Sequence, residues 1–396
     1  MTGGTYPSCH RGGVANGEGK GNLLDGIEER ICALLSALID QEAAQVIVPP
    51  YQAAPGFWFG GGNLVEDEAG TVWLSGRYRS HGDSRVGLEA GARGLECAVF
   101  RSDDGAMTFE KVSSWSKADL SREGREVLSI EGTALHRTPA GQWELYVSSE
   151  KRVAYPDPLR AFQKPGTGVW SIDCIVGSSP ASLDPATMTP LLENRAYPAY
   201  LHVKDPVVFD CPDGRTAMIF CSHPFSWSSS NTGLAVRDSI LAGYRVEMWE
   251  MVSRGPAWDV AATRITDRMP LPQVGALAGR ARAAVYSYDG AECLRPHEES
   301  LTAHRRPRGC SCEEIGGAFW GWEESFPSLT RLSRLQPMFV SPWGTGCSRY
   351  VHTLVTASGI LATWQQGRAD GSQPLVAHTL PMDEVERILS GEGDRQ

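Results

Sequence analysis

Leu128-Ser-Ile-Glu-Gly-Thr-Ala-Leu135, the turn Thr138-Pro-Ala-Gly141 and then Gln142-Trp-Glu-Leu-Tyr-Val147 read as strand, tight turn, strand. Branched and aromatic residues suit both runs to a pleated surface, and Pro139 with Gly141 interrupts them. Glu131 stands in the first strand beside the small residues Gly132 and Thr133, where a ligand could approach its carboxylate. The plain alternative is a solvated carboxylate in a loop. Which reading holds depends on whether the pattern recurs.

It recurs about every 70 residues. Besides the unit that runs from Thr133 to Leu145 and continues at Gly168–Cys174, four others can be laid out. They begin at Gly62–Leu74 (continuing at Ala98–Arg101), Pro206–Met218 (Tyr244–Trp249), Ala281–Gly290 (Met338–Val340) and Tyr350–Trp364 (Pro374–Thr379). Strand, Gly turn, strand, polar loop and further strand describe a propeller blade, so an all-β, five-bladed β-propeller is expected over residues 56–396. An irregular β-sandwich is the alternative. Residues 1–22 are Gly-rich and polar, a loosely attached N-terminus. Within 23–55, Ile27, Ile31, Leu34, Leu35 and Leu38 recur at helical spacing, predicting an N-terminal helix and linker packed on the propeller. Asp383–Ser390 predicts a short C-terminal helix.

Composition narrows the function. The 396 residues carry 37 Lys and Arg against 47 Asp and Glu, a formal net charge of −10, so there is no basic excess for nucleic acid. No apolar run approaches the length of a membrane-spanning helix. Met1–His10 has no basic region leading into an apolar stretch, so no secretory signal is expected. Ten cysteines are spread along the chain; reduced thiols and a cytoplasmic location are the simplest expectation. Cys293, His297, His304, Cys310 and Cys312 cluster in a basic loop, but their spacing matches no standard zinc site, and neither metal nor cofactor is expected.

Ser102-Asp-Asp-Gly-Ala-Met-Thr-Phe109 resembles the Asp box of sialidase-type propellers, a structural hairpin turn. The wider layout resembles the five-bladed propeller glycoside hydrolases, the arabinanase, arabinofuranosidase and fructosidase group. Val203-Lys-Asp-Pro-Val-Val-Phe209 is similar to the Asp-Pro that opens a blade there, and Ile130-Glu-Gly-Thr133 to the Glu-Gly that carries the general acid. The resemblance implies acidic residues on successive inner strands, converging at the axis. It implies an Asp in the first unit too, where this chain has Asn63 near the expected position.

Glu131 as general acid and Asp205 as a second, tuning carboxylate are therefore the expected catalytic pair, since glycosidic hydrolysis needs one carboxyl protonated and one ionised. Arg77, Arg280, Arg282 and Arg349, with Tyr350 and His352, fall at matching positions in other units and would bind substrate alongside Asn63. Arginines grip carboxylates in two-pronged geometry, pointing to an acidic terminal sugar. Trp227, in His223-Pro-Phe-Ser-Trp227, could stack on a sugar face or anchor its loop. The expected activity is a glycoside hydrolase on a carbohydrate substrate, with no nucleic-acid or membrane partner. The alternatives are a non-catalytic propeller that binds glycan or protein, and a polysaccharide lyase using Tyr and His.

Overall fold

The computed structural model describes residues 21–81, 91–294 and 314–391. Helix α1 (Gly21–Leu38) leads to a short strand, β1 (Gln45–Val48). Blade 1 follows as β2 (Trp58–Glu66), β3 (Val72–Arg79), β4 (Gly94–Ser102) and β5 (Glu110–Ser116). Blade 2 is β6 (Val127–Arg137), β7 (Trp143–Lys151), β8 (Val169–Gly177) and β9 (Thr189–Leu192). Blade 3 is β10 (His202–Asp210), β11 (Thr216–His223), β12 (Asn231–Arg237) and β13 (Arg245–Val252).

Blade 4 starts with a broken inner strand, β14 (Ala262–Ile265) and β15 (Met269–Pro270), both paired with β16 (Ala283–Ala291). Outside these lie β17 (Ile315–Trp322) and β18 (Thr330–Arg331). Blade 5 runs outward through β19 (Ser348–Val355), β20 (Gly359–Gln366) and β21 (Leu375–Pro381), and the chain ends in α2 (Met382–Ser390). The fourth strand of blade 5 is β1, antiparallel to β21 with Gln45 opposite Ala377 and Val48 opposite Leu375. The all-β five-bladed propeller of the sequence reading is the observed fold, with a helix at each end.

Burial follows each strand's place in its blade. Middle strands have neighbouring blades on both faces, so β3 and β7 are buried at every residue. Outer strands have one covered face, and β13 alternates between exposed and covered positions. Apolar clusters fill the gaps between consecutive blades. Trp73, Val99, Ile130, Leu135 and Val147 join blades 1 and 2, and Phe59, Leu74, Phe100, Leu361 and Leu375 join blades 5 and 1.

Three expectations are corrected here. The N-terminal segment does not merely rest on the propeller: β1 supplies a blade strand, and the apolar face of α1 packs with Val385 and Leu389 of α2 into the cluster of blades 4 and 5. In the fourth unit, the run at Ala281–Gly290 is the second strand and not the first. Among the described residues Cys293 is disulfide-bonded, so the all-reduced expectation does not hold. The remainder of its loop, from 295 to 313, lies outside the described residues.

In the turn between β4 and β5, Asp104 Oδ1 accepts from the backbone of Met107 and Thr108, both at 3.0 Å. These are the bonds of a tight polar turn, and they carry no sialidase kinship by themselves. Among the described residues, no helix is long and apolar enough to cross a membrane.

Candidate active site

A shared irregularity builds the site. Four inner strands break register at one level, leaving two residues opposite one: Gly61-Gly62 in β2, Glu131-Gly132 in β6, Asp205-Pro206 in β10 and Tyr350-Val351 in β19. A bulge bends its strand and re-aims the side chain it carries. Asp205 (φ 54°) and Tyr350 (φ 51°) occupy left-handed backbone that costs a non-glycine residue energy, a feature concentrated at functional sites.

Around these bulges the five blades contribute one buried cluster of charge. Arg77 and Arg79 of β3 both pair with Glu131; Arg77 Nε donates to Glu131 Oε2 at 2.9 Å and its Nη2 lies 2.7 Å from the same oxygen. Asp205 Oδ1 accepts from the Gly132 N–H at 2.9 Å, and its Oδ2 from the Tyr350 hydroxyl at 3.4 Å. Lys204 Nζ is 3.4 Å from the same Oδ2, and Arg264 Nη1 of β14 is 4.0 Å away. Arg77 Nη2 reaches the Tyr350 hydroxyl at 3.2 Å, so Glu131, Arg77, Tyr350 and Asp205 form one chain of contacts. On the far side, Glu314 pairs with Arg264 and Arg349, and Asp289 Oδ1 accepts from the Tyr350 N–H at 3.0 Å. The guanidinium groups of Arg77, Arg349 and Arg264 lie 4.7, 5.4 and 5.9 Å from the Tyr350 ring centre.

The charges sort the carboxyls into two kinds. Burial opposes ionisation of Glu131, but Arg79 and Arg77 outweigh it and hold the group well below the usual carboxylate range. Glu314 is likewise held low by Arg264 and Arg349 against burial. Asp289 goes the other way. Burial, reinforced by Glu314 and opposed by Arg264, pushes it up to about 7. Burial and then Asp205 push the Tyr350 phenol up to about 12. His202 is driven down to about 3 by burial and Lys204, so it stays neutral beside Tyr155, whose hydroxyl is 3.0 Å from its Nε2.

Of the residues singled out from sequence, Arg77, Glu131, Asp205, Arg349 and Tyr350 meet in this cluster. Arg280 and Arg282 do not: they are exposed just ahead of β16, because that strand is not the inner one. Arg264, on the true inner strand, takes the place expected of them. Asn63 lies beyond the bulge, where its Oδ1 accepts from Leu135 N at 2.6 Å; the position at the bulge level is Gly61-Gly62. Asn63 and His352 line a separate cavity of about 470 Å³ with His136, Asp210 and Asp267, past the bulges. Trp227 stacks on His202 at 4.4 Å and leans on His223 at 4.5 Å, which anchors its loop.

Sequence reasoning missed Arg79, Lys204, Arg264, Asp289 and Glu314. A signal existed for three of them: Arg79 shares a strand face with Arg77, Lys204 adjoins Asp205, and Arg264 is a lone cation between Thr263 and Ile265.

No sequence-family profile matches the chain, and no curated protein does. Solved structures do. An RS223 β-xylosidase aligns at TM-score 0.53 and 9% identity, over 86% of this chain and 95% of its own. The α-L-arabinofuranosidase from Lactobacillus brevis aligns at 0.52 and 10%, over 84% and 92%. CoXyl43, a family-43 β-xylosidase/α-arabinofuranosidase from a compost metagenome in complex with xylotriose, aligns at 0.51 and 10%, over 85% and 95%. The chain shares the five-bladed propeller fold of these enzymes. At this identity the likeness is one of fold, and the family-43 comparison leaves the chemistry to the residues in the cluster.

Proposed function

We propose that the protein is a glycoside hydrolase acting at the propeller axis on a sugar that carries negative charge. The observation that carries this reading is the convergence of Glu131, Asp205 and Asp289 in one cluster with two opposite protonation tendencies, Glu131 held as an anion and Asp289 pushed up to about 7. Cleavage of a glycosidic bond needs such a division, one carboxyl to give a proton and one to stay ionised.

The roles differ from those expected. A general acid must be protonated at working pH, and Arg77 and Arg79 deny Glu131 that state. Asp289 is the carboxyl suited to supply the proton. Glu131 instead fixes the two arginines, and Asp205, on a strained bulge between them and Lys204, faces the reacting bond. The cations Arg77, Arg79, Lys204, Arg264 and Arg349 support an acidic sugar such as a uronate, whose carboxylate they would grip in place of a water shell.

A second reading, a propeller that binds glycan without cleaving it, is favoured by one feature: the first blade offers Gly61-Gly62 at the level where the other inner strands carry Glu131, Asp205 and Tyr350. Screening with aryl glycosides of neutral and acidic sugars separates the two. Hydrolysis that prefers the acidic series and collapses in Asp205→Asn supports the enzyme; saturable binding with no turnover supports the binder.

A further inference from the structure

We propose that the cavity past the bulges binds an aliphatic ammonium ion and that Asp267 holds its charge. The site lies apart from the axial cluster, and the inference stands independently of the hydrolase reading.

One carboxylate carries it. Every other buried Asp or Glu among the described residues, from Glu131 to Asp289, lies within 4.0 Å of an arginine or lysine nitrogen. Asp267 is 7% exposed and has no such partner among the described residues. Its Oδ2 accepts from the Thr353 hydroxyl at 2.5 Å, and His352 Nδ1 is 3.7 Å from its Oδ1. Asp267 sits in the break of the blade 4 inner strand, between β14 and β15. The adjoining Arg268 turns away from it, pairing with Glu323 and standing 4.8 Å from the Phe209 ring centre. A buried carboxylate with no counter-charge is costly unless a cation can reach it.

The cavity gives a cation that access. It encloses about 470 Å³, and residues of all five blades line it. The space far exceeds a bare ion, and no group of three His, Cys, Asp or Glu side chains suited to a metal occurs among the described residues. The second arginine on its wall, Arg137, is committed to Glu68 at 2.9 Å, and His136 Nδ1 faces Glu144 Oε2 at 3.0 Å. Asp210, which is exposed, adds a second carboxylate, with His136 Nε2 3.3 Å from its Oδ1. Leu135, Val207 and Phe209 give the wall apolar surface. A short aliphatic diamine matches this arrangement. One ammonium pairs with Asp267, the methylene stem lies along the apolar wall, and Asp210 attracts the second ammonium.

The test is isothermal titration calorimetry of the full-length protein with putrescine at low salt, where ion pairing is least screened. Saturable binding at one site is expected, with no heat from butanediol, its neutral counterpart. Asp267→Asn keeps the side-chain size and removes the charge, and should weaken putrescine binding by about tenfold or more. Putrescine should also raise the urea midpoint of the wild type and leave that of Asp267→Asn unmoved. If Asp267→Asn does not fold, Asp210→Asn, at an exposed position, decides in its place and should bind putrescine several-fold more weakly. No saturable binding, equal binding of the diol, or undiminished affinity in the folded variant overturns the proposal. Calcium binding in a protein that ignores putrescine overturns it too, in favour of a metal. No outcome is read from hydrolysis, so the hydrolase reading is left standing by each of them.

Discussion

Arg77 and Glu131 come from adjacent blades, and two guanidinium nitrogens converge on one carboxylate oxygen at 2.9 and 2.7 Å with both side chains buried. This pair locks blade 1 to blade 2 at the axis and fixes Glu131 as an anion. Glu131→Gln leaves Arg77 and Arg79 without their counter-charge in a dry site, and loss of one partner from a buried pair costs about 3–5 kcal/mol. Urea denaturation at pH 7 should show that loss. The carboxyl is depressed in the folded state, so its contribution is complete above the unfolded value of about 4.3 and fades as pH falls below it. The gap between wild type and Glu131→Gln should therefore narrow from pH 6 to pH 3. A gap that stays constant over that range would mean that Arg77 and Arg79 do not hold the carboxylate.

Asp289 gives the opposite sign. Its folded value is raised to about 7, so between about pH 4 and 7 the unfolded chain ionises this group while the folded protein keeps it protonated. Stability falls across that window on its account. Asp289→Asn keeps an oxygen for the Tyr350 N–H but removes the titration. The variant should gain relative to wild type as pH rises from 4 to 7, by up to about 4 kcal/mol, and level off above. Activity should move the other way. If Asp289 gives the proton, wild-type kcat declines above about pH 7 and the variant is slow at every pH.

How far the sequence revealed these groups depends on how regular each blade is. Glu131 and Asp205 could be matched because β6 and β10 are long strands opening well-formed units, and the bulge that re-aims them falls at the same step of the repeat. Helix α1 was legible because Ile27, Ile31, Leu34, Leu35 and Leu38 all face one core, but its last turn ends at Leu38 and the chain then makes a blade strand from Gln45-Val-Ile-Val48. Blade 4 was not legible. Its inner strand is cut at Thr266-Asp-Arg268 into pieces too short to read as strands, so the eye passes to the apolar run of β16 and selects Arg280 and Arg282. Glu314 stands just ahead of β17, 50 residues after Arg264 with which it pairs, and no local pattern announces that.

That misreading yields a comparison of variants. Arg264 is buried beside Asp205, Asp289 and Glu314, whereas Arg282 is exposed outside the cluster. With an acidic aryl glycoside, Arg264→Ala should raise KM or lower kcat by at least tenfold in total, the equivalent of about 1.4 kcal/mol in transition-state binding. Arg282→Ala should change kcat/KM by less than about twofold, as expected for surface positions. Equal losses in both variants would place the substrate acid group outside the axial cluster.

Gly61 tests whether the missing first-blade carboxylate is a matter of evolution at one side chain or of backbone. Its φ of +104° lies where L-residues are strained, and a Cβ there would stand 3.3 Å from Gly76 Cα and 3.9 Å from Thr133 Oγ1. The neighbouring backbone at Gly76 would have to give by a few tenths of an ångström to admit it. Gly61→Ala should therefore destabilise the fold by roughly 1–3 kcal/mol, read from urea denaturation. Gly61→Asp, which places a carboxylate at the level of Glu131 and Asp205, should be at least as destabilised and should not gain activity on any aryl glycoside. The positive φ of Gly61 thus disfavours an acid at this position. A stable Gly61→Asp variant with higher kcat than wild type would show instead that the first blade is ready to accept the carboxylate, and that its absence alone limits the reaction.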